Sequence, residues 1–338
     1  MLDRGTILVT GGAGLIGSAV VWALNRRNLT DIVIVDALGR DPEKWQNLVR
    51  LKYRDYLEAD ELFEQLGSSR LADVKTIFHL GAQSATTEQD CSYLIRNNYE
   101  VTRRLAEWAV GSQRRFVYAS SAATYGDGSL GMDDSADLFT LRPLNMYGYS
   151  KHLFDIHAFH QGWHNEIVGL KYFNVFGPNE YHKGEMRSMV CRAFEQISAS
   201  QCVRLFRSYH CDYADGEQVR DFLYVKDAAE MTVHLAETSS ANGLYNLGGG
   251  VARTWKDLAY AVFRSMDIPP KIEFIDMPET IRDKYQYYTC ADVSKFKKSG
   301  WSGATHSLEE AVQDYVANYL ITRSRLGDES QNTATNRG

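Results

Sequence analysis

The sequence is poor in cysteine and proline, with five and six of them in 338 residues. Cys91, Cys191, Cys202, Cys211 and Cys290 are scattered, odd in number and free of any Cys-x-x-Cys pair. That pattern argues against a disulfide framework or a zinc knuckle and points to a reducing compartment. No apolar run approaches the ~20 residues that span a bilayer. "MLDRGTILVTGG" carries an early acid and turns at once into a strand and glycine turn, unlike a leader peptide. The expected location is therefore the cytoplasm, with no membrane partner. A basic stripe is missing too: 37 Lys and Arg face 43 Asp and Glu, a net charge of −6. Nothing offers nucleic acid a phosphate-tracking surface. Neither an internal repeat nor a Pro-rich linker divides the chain, so its lobes should be interleaved.

What is present is a pattern of buried strands alternating with helices. "TILVTGGAGLIGSAVVWALNRR" reads as strand, glycine turn and helix, and apolar runs recur at "DIVIVD", "KTIFHLGA", "RRFVYASS" and "EIVGLKYF". Near-continuous apolar strands separated by helices predict an α/β fold, a doubly wound parallel sheet of Rossmann type. After residue 173 the order changes. Residues 174–221 are turn-rich and aromatic, "RDFLYVKDAAEMTVHLAE" and "GLYNLGG" look like a return to the sheet, and two later helical stretches suit a smaller lobe. The expected division is a dinucleotide-binding domain over 1–173 and about 222–249, and a substrate lobe over 174–221 and about 250–322. Ser307 with Glu310 fits a capping box, and residues 323–338 read as a disordered tail.

Gly11, Gly14 and Gly17 fall between the first strand and first helix, where glycines let backbone amides approach a pyrophosphate. Asp36 ends the second strand, placed to accept from an adenosine ribose, which favours NAD. Arg40 and Lys44 follow closely, and either could neutralise a 2′-phosphate, so Asp36 alone leaves the choice between NAD and NADP open. "MYGYSK" sets Tyr147 and Lys151 four residues apart, one helical turn on one face. A neighbouring ammonium should lower the tyrosine pKa from its ordinary value near 10. Ser121 ends another strand and could hydrogen-bond a substrate oxygen losing its proton.

"TGGAGLIG", "SSAATYG" and "YGYSK" occur together in the order of the extended short-chain dehydrogenase/reductase family, which this chain resembles. Members that dehydrate nucleotide sugars usually carry acids just after the serine, and Ala122, Ala123 and Thr124 stand there instead. Dehydration loses ground to epimerisation or reduction. An epimerase that returns hydride to the opposite face must manage protons on oxygen in two orientations, which a second base serves well. Lys183, in "NEYHKGEM", could be that base; on its own it reads first as a loop lysine in water.

Over roughly residues 6–320 the chain is similar to the ADP-glycero-manno-heptose 6-epimerase family. The resemblance rests on "GAQSATTE", "NNY", "SSAATYG", "PLNMYGYSK", "YFNVFGPNEYHKG" and "RDFLYV". It implies an isomerase acting on ADP-heptose for lipopolysaccharide synthesis, with Tyr147 and Lys183 as bases on opposite faces of the sugar and Ser121 and Lys151 assisting. It also implies tightly bound NADP, recycled in each turnover, with NAD the alternative. Around the cofactor it places Gly11, Gly14, Leu15, Ile16, Gly17, Asp36, Ala37 and Lys44, then Leu80, Gly81, Ala82, Gln83 and Ser84, then Asn97, Lys151, Val175 and Lys183. Around the substrate it places Asn174, Glu185, Arg192, Phe206, Arg207, Ser208, Arg220 and Tyr285. Homo-oligomers, often pentamers, come with the family. Three positions depart from its pattern: Ala37 stands where asparagine is usual, Glu185 where a small hydroxyl residue can occur, and Arg192 where histidine is usual.

His157, His160 and His164 lie near one helix face but lack a His-Glu-x-x-His spacing, and hydride chemistry needs no metal, so no metal site is expected. A UDP-hexose 4-epimerase or another nucleotide-sugar oxidoreductase is the alternative within the fold. A non-catalytic dinucleotide sensor is the alternative outside catalysis, and the presence of Tyr147 and Ser121 weighs against it.

Overall fold

The computed structural model describes residues 2–40, 42–282 and 285–328. Seven parallel strands form the central sheet: β1 (Thr6–Thr10), β2 (Ile32–Asp36), β3 (Asp55–Glu58), β4 (Val74–His79), β5 (Arg115–Ser121), β6 (Val168–Tyr172) and β10 (Gly243–Leu247). Their order is β10-β6-β5-β4-β1-β2-β3. β3, "DYLE", carries no apolar run and escaped the sequence pattern; it is an edge strand with one fully buried residue, Leu57.

Strand alternation sorts the core onto the two faces of this sheet. Ile7 and Val9 of β1, with Ile32 and Ile34 of β2, join the cluster containing α1 (Leu15–Arg26). Leu8, Val33 and Val35 point the other way, into a second cluster with Leu105, Ala106 and Ala109 of α2 (Val101–Gly111) and Phe154 and Ala158 of α3 (Met146–His160). Both faces are covered, which is why β1 and β2 are buried along their whole length.

The remaining strands build two small sheets: β11 (Ala252–Thr254), β9 (Val219–Tyr224) and β7 (Asn174–Phe176) in one, and β12 (Ile272–Ile275) with β8 (Val203–Phe206) in the other. The longer helices of this part are α4 (Met189–Ser200), α6 (Trp255–Ser265) and α7 (Leu308–Tyr315). "RDFLYV" therefore does not return to the central sheet as the sequence suggested. β9 pairs with β7 and β11, and only α5 (Val225–Glu237) and β10 after it rejoin the main layer, α5 packing beside α1.

The expected disordered tail also needs correction. Leu326 is fully buried, and Arg325 pairs with Glu43, so residues 324–328 are packed against the body while Arg323 is exposed; residues 329–338 lie outside the described part. The Ser307 capping box is present, with Ser307 and Glu310 exchanging bonds. No helix among the described residues is long and apolar enough to cross a membrane.

Candidate active site

β1 leads to β2 and β3 on one side, whereas β4 lies on its other side, so the order reverses between β1 and β4. At such a switch point the carboxyl ends of the strands open a crevice. A cavity of about 1240 Å³ starts there and extends to β8 and α4. Its floor is held by His79, whose two ring nitrogens meet Thr10 Oγ1 at 2.7 Å and Thr102 Oγ1 at 2.9 Å. Burial pushes this histidine down to about 3, so it is neutral and ties β4 to β1 and to α2.

The glycine turn is close-packed on itself. A Cβ on Gly17 would sit 2.0 Å from the Gly11 carbonyl oxygen, and one on Gly11 would sit 2.6 Å from Gly81. These positions accept no side chain, and the crevice beside them stays open to a pyrophosphate. Gly11, Gly14, Leu15, Ile16 and Gly17 all line the cavity, as do Asp36, Lys44 and Leu80 to Ser84. Asp36 accepts from the Ala13 amide at 2.8 Å and from Lys44 Nζ at 2.6 Å. Lys44 therefore neutralises the carboxylate at the ribose position. These residues fit a nicotinamide dinucleotide. Ala37 stands just outside the lining, its amide donating to Asp36 and its carbonyl accepting from Lys44.

Asn145 caps α3 through the Gly148 amide at 2.8 Å, so Tyr147 occupies the first turn and Lys151 the next. Gly148 lies so near the Ala123 carbonyl that a Cβ would come within 2.8 Å, and this contact docks the helix start beside Ser121. Ser121, Tyr147 and Lys151 all line the cavity. Burial raises the Tyr147 phenol, and its hydrogen bond with Ser121 opposes this. Lys151 is not among the effects on Tyr147, contrary to expectation: its ammonium donates to the Ala119 carbonyl at 2.9 Å, and burial brings it down to about 8.

Behind this group lies a buried charge network the motif did not announce. Asp155 accepts from Tyr118 at 2.8 Å and Ser120 at 2.7 Å, and Lys171 Nζ stands 3.5 Å away. Asp155 follows Lys151 by four residues, one helical turn, so helical spacing was the available signal. Asn98 was also missed, in favour of its neighbour Asn97. Asn98 is buried, exchanges bonds with the Gln83 backbone and donates to Ser150 beside Lys151 at 3.0 Å, whereas Asn97 is half-buried and donates to Asn98. Both sit in a widened π-helical turn, Ile95–Glu100, a distortion that recurs at functional sites.

Lys183 enters the same cavity from the turn Tyr181–Met186 after β7. Burial lowers its ammonium, and the charge of Glu180 offsets part of that. Of the substrate candidates, Asn174, Arg192, Phe206 and Tyr285 line the cavity with Val175. Arg220 lies directly behind, its guanidinium 4.9 Å from the Tyr285 ring and 5.5 Å from Trp255. Glu185 is exposed and outside the lining. Arg207 is held between Asp215 and Asp276, and the Ser208 amide donates to Asp215, so neither borders the cavity. Gln196, Arg204 and Trp255 do border it and had no motif to mark them. Among the described residues the one cluster with metal-ligand geometry, His210, Cys211 and Asp212, is exposed and does not line this cavity.

A dinucleotide crevice joined to a Ser-Tyr-Lys group marks an enzyme that works with a nicotinamide dinucleotide. Residues 7–248 match the family model described as the NAD dependent epimerase/dehydratase family. The chain belongs to this family. It is 52% identical over 315 residues to the ADP-L-glycero-D-manno-heptose-6-epimerase of Nitratidesulfovibrio vulgaris (strain DP4), covering 93% of this chain and 97% of that protein. It is 44% identical over 325 residues to the protein of the same name from Fusobacterium nucleatum, covering 93% and 98%. Among solved structures, Helicobacter pylori ADP-L-glycero-D-manno-heptose-6-epimerase aligns with a TM-score of 0.77 and 28% identity, over 94% of this chain and 96% of that one.

Proposed function

We propose that this protein epimerises C6 of ADP-D-glycero-β-D-manno-heptose to the L-glycero form, using tightly held NADP with no net redox change. One observation carries the reading: a second ionisable base, Lys183, opens into the cavity that holds Tyr147, Ser121 and Lys151. A reductase has no need of it. The names of the relatives at 52% and 44% identity agree.

A nicotinamide dinucleotide in the crevice supplies hydride acceptance from C6 and its return to the opposite face. The chain's residues manage the proton on O6. Tyr147, acting as the phenolate, takes that proton while the Ser121 hydroxyl beside it holds the oxygen, and exchange with solvent afterwards removes the proton from Tyr147 and returns one to Lys183. After the ketone turns about the C5–C6 bond, Lys183 gives a proton to the re-formed alkoxide. The lowered pKa of Lys183 brings it closer to the range a general acid needs. Lys151 orients the nicotinamide ribose, and Arg192, Asn174 and Tyr285 hold the nucleotide-sugar. NADP is favoured over NAD because Lys44 cancels the Asp36 charge that would repel a 2′-phosphate. We assign the cofactor to the central sheet and the substrate to the lobe of 174–221 and 250–322. The product would feed the lipopolysaccharide core, made in the cytoplasm by a homo-oligomer.

Proton NMR of the purified protein with ADP-D-glycero-β-D-manno-heptose, without added cofactor, tests this. The L-glycero signals at C6 should grow with no build-up of reduced cofactor. A folded, nucleotide-loaded sample that leaves the heptose unchanged would overturn the assignment, and conversion of UDP-hexoses instead would establish the 4-epimerase reading.

A further inference from the structure

The turn that carries Lys183 is held by tertiary bonds from distant parts of the chain. Asn179, at its start, is fully buried with φ of 77°. Its side chain donates to Ser18 of α1 at 2.9 Å and accepts from the Leu326 amide at 3.0 Å. Tyr181 donates through its hydroxyl to the Tyr319 carbonyl at 2.9 Å and the Ser324 carbonyl at 3.3 Å. The Arg325 guanidinium covers the Tyr181 ring at 5.2 Å and pairs with Glu43. Arg50 reaches Asp328 at 2.8 Å and fastens the end of the segment. Leu326 has no exposed surface at all. Residues 324–328 thus lie across the turn and touch it at Asn179 and Tyr181, four and two residues from Lys183.

We propose that the segment 324–328 is a strap that positions Lys183, with Asn179 and Tyr181 as the positioning residues through which it acts. The proposal rests on Lys183 being the second base. The turn's other supports are Asn47, which donates to the Asn179 carbonyl at 3.0 Å, and Ser188. Glu180 accepts from Ser188 on the far side, and the Lys183 amide donates to the Glu180 carbonyl at 2.9 Å, so backbone position there passes directly to Lys183. Gly184 follows with φ of 52°, where the chain reverses out of helical geometry. A flexible side chain on a kinked turn keeps one reactive geometry only while its anchors hold.

Two variants remove the strap in different ways: a chain ending at Arg323, and Asn179→Gly, which deletes both side-chain bonds while glycine adopts the positive φ freely. Ser18→Ala, which removes the Asn179 bond to α1 together with the Ser18 bond to the Gly14 carbonyl but leaves the bond to Leu326, is the control. Each is treated briefly with acetic anhydride and acetylation at Lys183 is read by mass spectrometry against Lys171, which is 1% exposed and reports general loosening. Both strap variants should acetylate Lys183 about tenfold faster with Lys171 unchanged, and kcat for ADP-D-glycero-β-D-manno-heptose should fall about tenfold at constant KM and bound nucleotide. Ser18→Ala should do neither. Unchanged Lys183 labelling in folded variants overturns the strap, and so does equal acceleration at Lys171, which would reduce the segment to a structural brace. If the parent protein turns over no ADP-heptose, the proposed function fails, while the labelling comparison still decides the strap.

Discussion

The two reactive groups of the cavity are held in contrasting ways. Tyr147, Lys151 and Ser121 stand on a capped helix and a central strand, backed by the buried Asp155–Lys171 pair. Lys183 stands on a turn whose anchors come from residues 18, 47, 319 and 324–326. A local repeat of four residues builds the first, and contacts across more than a hundred residues of chain build the second. The first should therefore resist perturbation and the second should depend on remote parts of the molecule.

The largest test separates the roles. Tyr147→Phe should lower epimerisation by on the order of 10²–10⁴-fold. Lys183→Ala should do so as strongly while leaving bound dinucleotide in place, measured as A260 of the purified variant together with NMR turnover. A Lys183→Ala protein with full activity would remove the two-base mechanism and favour a simple oxidoreductase.

Next in size is the support of the rigid group. Breaking a buried ion pair on one side costs about 3–5 kcal/mol, because the remaining charge is left unpaired. Asp155→Asn should destabilise the fold by about that much in urea denaturation. Adding Lys171→Met to it should recover most of the loss, since replacing both charges is often near neutral. Failure of the double variant to recover would mean that Asp155 matters chiefly through its bonds to Tyr118 and Ser120.

Lys151 gives a pH test of the same group. Its folded pKa near 8 lies below the ordinary 10.5. Between those values the unfolded chain holds a proton that the folded one has released, so this group makes stability rise with pH across that window. In nucleotide-free protein the gain is on the order of 3 kcal/mol, and it should vanish in Lys151→Met when the two pH–stability curves are subtracted. Equal curves would place the Lys151 ammonium in a more solvated setting than the structure gives it.

The same contrast governs what could be read from the sequence. β1, β2, β4, β5 and β6 announced themselves as apolar runs because burial on both faces demands it. Edge strand β3 did not, and β9 was read into the wrong sheet, since their pairing is set by neighbours the local pattern does not contain. The Tyr147–Lys151 spacing was legible as helix geometry. Lys183 was legible only by resemblance, because nothing local distinguishes it from a solvated lysine until Asn179 and Leu326 are brought together. Glu185, Arg207 and Ser208, named from the same resemblance, lie outside the cavity lining for a related reason: their places are decided by solvent, Asp215 and Asp276.

The smallest test deletes one buried amide on each side. Asn98 ties Gln83 and Ser150 together behind the rigid group. Asn47 donates to the Ala13 carbonyl at 2.9 Å and the Asn179 carbonyl at 3.0 Å, joining the glycine turn to the Lys183 turn. Each change to alanine leaves buried backbone groups unpaired and should cost about 1–3 kcal/mol. Equal costs with different consequences would sharpen the contrast. Asn98→Ala should release dinucleotide more readily, because Gln83 borders the cavity, while Lys183 reactivity stays constant. Asn47→Ala should instead raise Lys183 acetylation, since the bond it removes reaches the Asn179 backbone itself. If the two variants proved interchangeable in both readouts, the cavity would be a single cooperative unit and the distinction between its locally built and remotely anchored sides would fall.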